Sequence, residues 1–117
     1  MPRYTGSCHC GAVRFTIDAA LPTQAIECNC SHCRIKGMLL AFFPVDQFHL
    51  DQGEDALQSY RFNTHKIEHQ FCRTCGTQPM ALGALPDGTL SRCINLRCVP
   101  EIDPDTLKRI PHDGASR

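Results

Sequence analysis

Cys8-His9-Cys10-Gly11 is one half of the pattern that decides the fold of this chain, and Cys72-Arg73-Thr74-Cys75-Gly76 is the other. In each, two thiols stand two or three positions apart at a turn, and a glycine follows the second. Thiolates so spaced can point at one ion while neighbouring backbone N–H groups donate to the sulfurs. The trailing glycine lets the chain fold back over the sulfur without a Cβ clash. Brought together across about 60 residues, the two halves would complete a closed site of four cysteines, which is a structural arrangement.

Between them lies Cys28-Asn29-Cys30-Ser31-His32-Cys33, with three thiols in six residues and Arg34 where the other clusters have glycine. Three protein ligands leave one position of a tetrahedral ion open, as in catalytic zinc sites, whereas a fourth ligand would make the site structural. The residues alone leave both outcomes open, because His32, Cys93 or Cys98 could close it. Cys93 and Cys98 are five positions apart and would face opposite sides of a continuing strand. Cys98 is in phase with Ile94 and Leu96 and reads as a buried core thiol. His9, His49, His65, His69 and His112 read as surface or internally satisfied histidines. Arg34 and Lys36, beside an open metal site, are candidates for holding a substrate carboxylate.

Nine cysteines in 117 residues is a density otherwise typical of secreted disulfide scaffolds. Against that reading, Met1-Pro2-Arg3-Tyr4-Thr5-Gly6 lacks the apolar run of roughly 7–15 residues of a signal peptide, and no stretch approaches the ~18 apolar residues of a membrane span. A cytoplasmic location is expected, where thiols stay reduced. The odd count and the clustering of seven of the nine cysteines also favour metal over disulfides. Twelve Lys plus Arg balance twelve Asp plus Glu, so no basic field points to nucleic acid or to an acidic membrane surface. A thioredoxin-like role for Cys72 and Cys75 would lack its βαβ surroundings. Two C-x-C pairs fit poorly with the regular spacing of RING-like modules. Iron–sulfur ligation, chemically open to thiolates, is the weaker reading.

No repeat or linker divides the sequence, which reads as a single zinc-binding domain over residues 1–117. Val13 to Ile17 alternates with period two, as a half-buried strand does. Leu21-Pro22-Thr23 breaks it. Ala25 to Cys30 alternates again, with Ile26, Cys28 and Cys30 on one side, and Met38 to Phe43 is an apolar run suited to a more fully buried strand, ended by Pro44. A turn of helix is expected around Val45 to Phe48, a loop at Asp51 to Asp55, and strands at Leu57 to Phe62 and His65 to Phe71. The turn Leu85-Pro86-Asp87-Gly88-Thr89 should join strands near Met80 to Gly83 and Leu90 to Leu96 into a hairpin. Asp103 followed by Pro104 is an N-cap signal for at most a short helix. The expected architecture is mostly β, with little helix.

The segments Gly6 to Phe15, Cys28 to Arg34, Phe71 to Thr77 and Asn95-Leu96-Arg97-Cys98 together resemble the glutathione-dependent formaldehyde-activating enzyme family, which also covers centromere protein V-like proteins. The resemblance implies a β-tent, Mss4-like fold of short antiparallel strands with two zinc ions. It implies that Cys8, Cys10, Cys72 and Cys75 hold a structural ion and that Cys28, Cys30 and Cys33 hold a catalytic one. It further implies a carbon–sulfur lyase of the S-hydroxymethylglutathione synthase type, acting on a thiol such as glutathione and an aldehyde. Within that expectation His32 is a candidate proton carrier and Arg34 a candidate carboxylate contact. The competing expectation is a non-catalytic zinc-binding interaction or structural module.

Overall fold

The computed structural model describes residues 2–61, 67–84 and 87–113. Among these, β1 (Tyr4–Ser7), β2 (Arg14–Ile17) and β5 (Phe48–Gln52) form a three-stranded sheet in the order β1-β2-β5. The second sheet contains β3 (Gln24–Cys28), β4 (Leu40–Pro44), β6 (Leu57–Tyr60), β7 (Glu68–Cys72), β8 (Met80–Ala84), β9 (Leu90–Asn95) and β10 (Lys108–His112). Its order is β10-β3-β4-β9-β8-β7-β6, and every pairing is antiparallel except β10 with β3. One α-helix, α1 (Ser31–Lys36), joins β3 to β4. The mostly β, helix-poor architecture is the one expected, and β8 and β9 form the expected hairpin.

Alternation builds the core as it should. Phe15 and Ile17 of β2, Phe48 of β5, and Met80 and Ile94 of the large sheet are buried together with Tyr4, Leu39 and Leu96. Phe15 and Phe48 stack at 5.7 Å between ring centroids. Cys8, Cys72 and Cys98 belong to this same core. Cys28, Cys30 and Cys33 instead form a smaller cluster with Met38 and Leu40.

Three expectations are corrected. The alternation through Ala25 stops at Cys28, and Cys30 is not a strand residue: its sulfur accepts from the Cys33 backbone N–H, capping α1. The apolar run at Met38 to Phe43 is buried only at its start, since Phe42 is 52% exposed on the sheet. Asp51 and Gln52 belong to β5 rather than to a loop: Gln52 stands opposite Arg14 of β2, and Asp51 falls at a register shift before Leu50, which pairs with Phe15. The Asp103 cap and Pro104 start the short helical turn expected, a 3₁₀ turn (Pro104–Thr106), after which the chain enters β10. The expected strand ends at Phe62 and His65, and Leu85 and Pro86 of the hairpin turn, lie outside the described residues.

Gly53 shows how closely the chain leaving β5 lies against the chain entering β2. It has φ +97°, and a Cβ there would run into the Ala12 carbonyl oxygen and stand 2.6 Å from Val13 Cα. Neither neighbour can rotate away, and both follow directly on the first cysteine cluster. Gly53→Ala is expected to cost about 2–3 kcal/mol through left-handed backbone strain and overpacking. Urea unfolding at fixed metal content measures it; an unchanged midpoint would refute it.

Candidate metal centres

The first cluster is made by two matching turns. At one, Cys8 N–H donates to Val13 O and Gly11 N–H to Cys8 O; at the other, Cys72 N–H donates to Thr77 O and Gly76 N–H to Cys72 O. Both glycines have the left-handed backbone that the sequence demanded, φ +82° at Gly11 and +81° at Gly76. The turns meet, and the sulfurs of Cys8, Cys10, Cys72 and Cys75 lie within 4.8 Å of one another. Cys8 Sγ is 3.6 Å from Cys10 Sγ, which is 3.7 Å from Cys72 Sγ. Four sulfurs at ~2.3 Å from a tetrahedral zinc stand about 3.8 Å apart, so the spacing fits an ion and is far too long for a disulfide bond of about 2.05 Å. Val13 N–H donates to Cys8 Sγ at 3.3 Å. Hydrogen bonding with the Thr77 hydroxyl, 3.4 Å away, pulls the Cys75 thiol down to about 5. Cys75 is thereby prepared to bind as a thiolate. Against the Ala12 backbone N–H, burial and the neighbouring sulfurs instead push the Cys10 thiol up to about 11.

The second cluster is organised by α1. Cys28 ends β3, Cys30 caps the helix, and Cys33 lies one turn in; their sulfurs are also within 4.8 Å of one another. All three are buried. The helix ends at Gly37, whose φ of +65° lets its N–H reach Cys33 O. Burial works against ionising Cys30, yet the Cys33 N–H and the neighbouring thiols hold it below the ordinary thiol range. For Cys33, burial and then the Cys30 sulfur push the thiol well above that range. Burial and mutual repulsion oppose ionising all three thiols together, whereas a bound dication would favour the thiolate form of each. The donor chemistry therefore fits a soft or borderline metal ion. Cys93 packs against this cluster without joining the close group. Cys98 is a buried thiol of the main core, as expected.

A cleft of about 540 Å³ opens beside the second cluster, lined by Cys28, Cys33, Arg34 and Arg97, with Glu27 and Asp113 adding acidic groups and Pro111 and His112 a wall from β10. Arg34 is thus in the cleft lining. Arg97 is anchored there by its Nε, which donates to Gly37 O at 2.8 Å. His32 projects to another side of α1, where its ring lies 4.0 Å from the His69 centroid and 5.6 Å from that of Tyr60. Burial, and after it the charge of Lys36, hold His32 down to about 4. At neutral pH it is an uncharged imidazole.

One group of this neighbourhood escaped the sequence reading, the Gln78 amide. His69 is the internally satisfied histidine of the two readings offered for it: it is 5% exposed, and its Nδ1 lies 3.0 Å from Gln78 Nε2. Its only signal was the alternation that put Ile67, His69 and Phe71 on one face. Gln78 gave no signal at all, since a lone amide after a C-x-x-C-G turn has no periodicity. Of the other histidines, His49 is an exposed partner of Asp18 at 2.7 Å, and His65 lies outside the described residues.

The sequence model for "glutathione-dependent formaldehyde-activating enzyme" matches residues 3–103. The chain belongs to that family. A crystal structure of a Rhodobacter sphaeroides protein is similar at a TM-score of 0.77 and 29% identity, over 92% of this chain and 97% of that one. Both cysteine clusters lie inside the match to the glutathione-dependent formaldehyde-activating family, whereas β10, with its share of the cleft, follows it. Among the described residues, no helix is long and apolar enough to cross a membrane.

Proposed function

We propose that this protein is a zinc-dependent carbon–sulfur lyase that joins a glutathione-like thiol to an aldehyde such as formaldehyde and splits the adduct in reverse. The observation that carries the reading is the difference between the two clusters: four sulfurs that complete a ligand set at the edge of the main core, Cys8 and Cys72 inside it and Cys10 exposed, against three sulfurs beside an open, charged cleft. Cys8, Cys10, Cys72 and Cys75 would hold one zinc for structure, and Cys28, Cys30 and Cys33 a second for chemistry. A zinc ion with three thiolate ligands supplies a modest Lewis acid at its fourth position, suited to keeping a substrate thiol deprotonated and nucleophilic.

The chain's own residues would do the rest. Arg34, with Arg97 beside it, offers guanidinium donors to a substrate carboxylate. Glu27 and Asp113 suit an ammonium in the same molecule. The thiol sulfur forms a bond to the aldehyde carbon while the C=O π pair moves to oxygen, and that oxygen takes up the proton the thiol gave. His32, expected from the sequence as the proton carrier, faces His69 and Tyr60 and is not in the cleft lining, so solvent in the open cleft would carry that proton. A cytoplasmic, reducing setting would keep the ligand thiols available.

Metal analysis and X-ray absorption with and without glutathione test the proposal. Two zinc ions are expected, one of which gains a sulfur neighbour when the thiol is added. A single tightly held ion, or coordination unchanged by any small thiol, would overturn it in favour of a non-catalytic zinc module. Arg34→Ala is expected to raise KM for a carboxylate-bearing thiol roughly tenfold, the loss of one charge-assisted hydrogen bond of about 1.5 kcal/mol. A thiol without carboxylates should react equally with both proteins, and equal KM values for glutathione would remove Arg34 from the site.

A further inference from the structure

Lys36 on α1, Gln78 just before β8 and His69 on β7 make a polar chain beside the second cluster. Lys36 Nζ donates to Gln78 Oε1 at 2.7 Å, and Lys36 also stands 5.4 Å from the centroid of the Phe71 ring. Gln78 Nε2 donates to Met80 O at 3.3 Å and lies 3.0 Å from His69 Nδ1. Gln78 and His69 are 4% and 5% exposed, where a mispaired polar group costs about 1–3 kcal/mol.

The polarity of this chain has one solution. An ammonium has only donors, so the atom of Gln78 facing Lys36 is its oxygen; a carbonyl only accepts, so the atom facing Met80 O is its nitrogen. The same nitrogen faces His69, so Nδ1 must present its lone pair. In the neutral ring the proton is then on Nε2.

We infer that Lys36, Gln78 and His69 form a latch that docks α1 on β7 and β8, fixes His69 as the Nε2–H tautomer, and positions the helix carrying Cys30 and Cys33 for metal binding. The need for such a latch follows from length. A helix of six residues has no stability of its own, so tertiary contacts set its axis and, with it, the convergence of its two sulfurs on Cys28. His32 and Lys36, one turn apart, are the contacts it makes here: one ring against His69, one ammonium on Gln78. Lys36, expected as a carboxylate contact, is bonded to Gln78 and is not in the cleft lining, so Lys36 and Gln78 are positioning residues. The inference rests on the reading that Cys28, Cys30 and Cys33 take a metal ion.

The test uses the zinc-loaded protein and has two independent readouts. In ¹⁵N NMR of the imidazoles, His69 should show a bare Nδ1 and a protonated Nε2, and Gln78→Glu, which places an acceptor there, should move the proton to Nδ1. In chelator titration, Lys36→Met should release the second zinc at about 10–100-fold lower chelator, the usual cost of losing a group that orients metal ligands, while the first zinc stays bound; Lys36→Arg should restore it. Lys36 is exposed, so its replacement does not threaten folding. A protonated Nδ1 in the unaltered protein, or a Lys36→Met protein that keeps its second zinc as tightly, would overturn the latch. Should the unaltered protein bind one zinc only, the proposed function fails, and the His69 tautomer alone then decides the latch.

Discussion

Cys72→Ser is expected to leave the protein unfolded. Cys72 is fully buried among the main core residues and brings the second turn of the four-sulfur site against the first. Serine keeps the volume nearly unchanged but does not ionise, so the site would lose a ligand and bury a hydroxyl where a thiolate belonged. Structural zinc supplies about 10–16 kcal/mol in small zinc-binding units, comparable with the entire stability of about 5–15 kcal/mol of an ordinary domain. Circular dichroism should show no cooperative melting transition, and limited proteolysis should cut throughout. A cooperative transition within a few degrees of the unaltered protein would show that the closed site does not hold the fold.

Cys30→Ser is expected to have the opposite profile. Cys30 belongs to the smaller cluster with Cys28, Cys33, Met38 and Leu40, so the main core and the first site do not depend on it. A serine can also cap a helix N-terminus, preserving the start of α1. The variant should fold, keep one metal ion, and lose thiol–aldehyde activity roughly 10³-fold, as removal of several kcal/mol of metal-supplied stabilisation implies. Metal counting beside an adduct-forming assay checks it. If Cys30→Ser unfolds as Cys72→Ser does, the division into a structural and a working site is wrong.

Much of the site was legible because cysteine ligation imposes local rules. The glycines after Cys10 and Cys75 announced two similar turns, and both have the expected positive φ. Spacing also grouped Cys28, Cys30 and Cys33, although it mistook the path between them: a six-residue helix leaves no 3.6-residue periodicity to detect, and the alternation of β3 runs smoothly into Cys30. Strands with one buried face, such as β2 and β9, could be read, whereas β1 could not, since Gly6 occupies one of its two buried positions and has no side chain to mark it. β10 was hidden for another reason. Its sequence, Lys108-Arg109-Ile110-Pro111-His112, carries a proline and little apolar pattern, and what makes it a strand is distant pairing with β3. The latch residues were equally invisible, because the pairing of Lys36 with Gln78 spans 42 positions.

The parallel pairing of β10 with β3 sets an order of assembly. During synthesis the four sulfurs of the first site are all available once Cys75 has been made, while the cleft beside the second site gains its Pro111 and His112 wall only after more than thirty further residues. A nascent chain can therefore secure its framework around one ion before its substrate-facing pocket exists, which keeps the three reactive thiols from meeting a finished binding surface until the fold that controls them is in place.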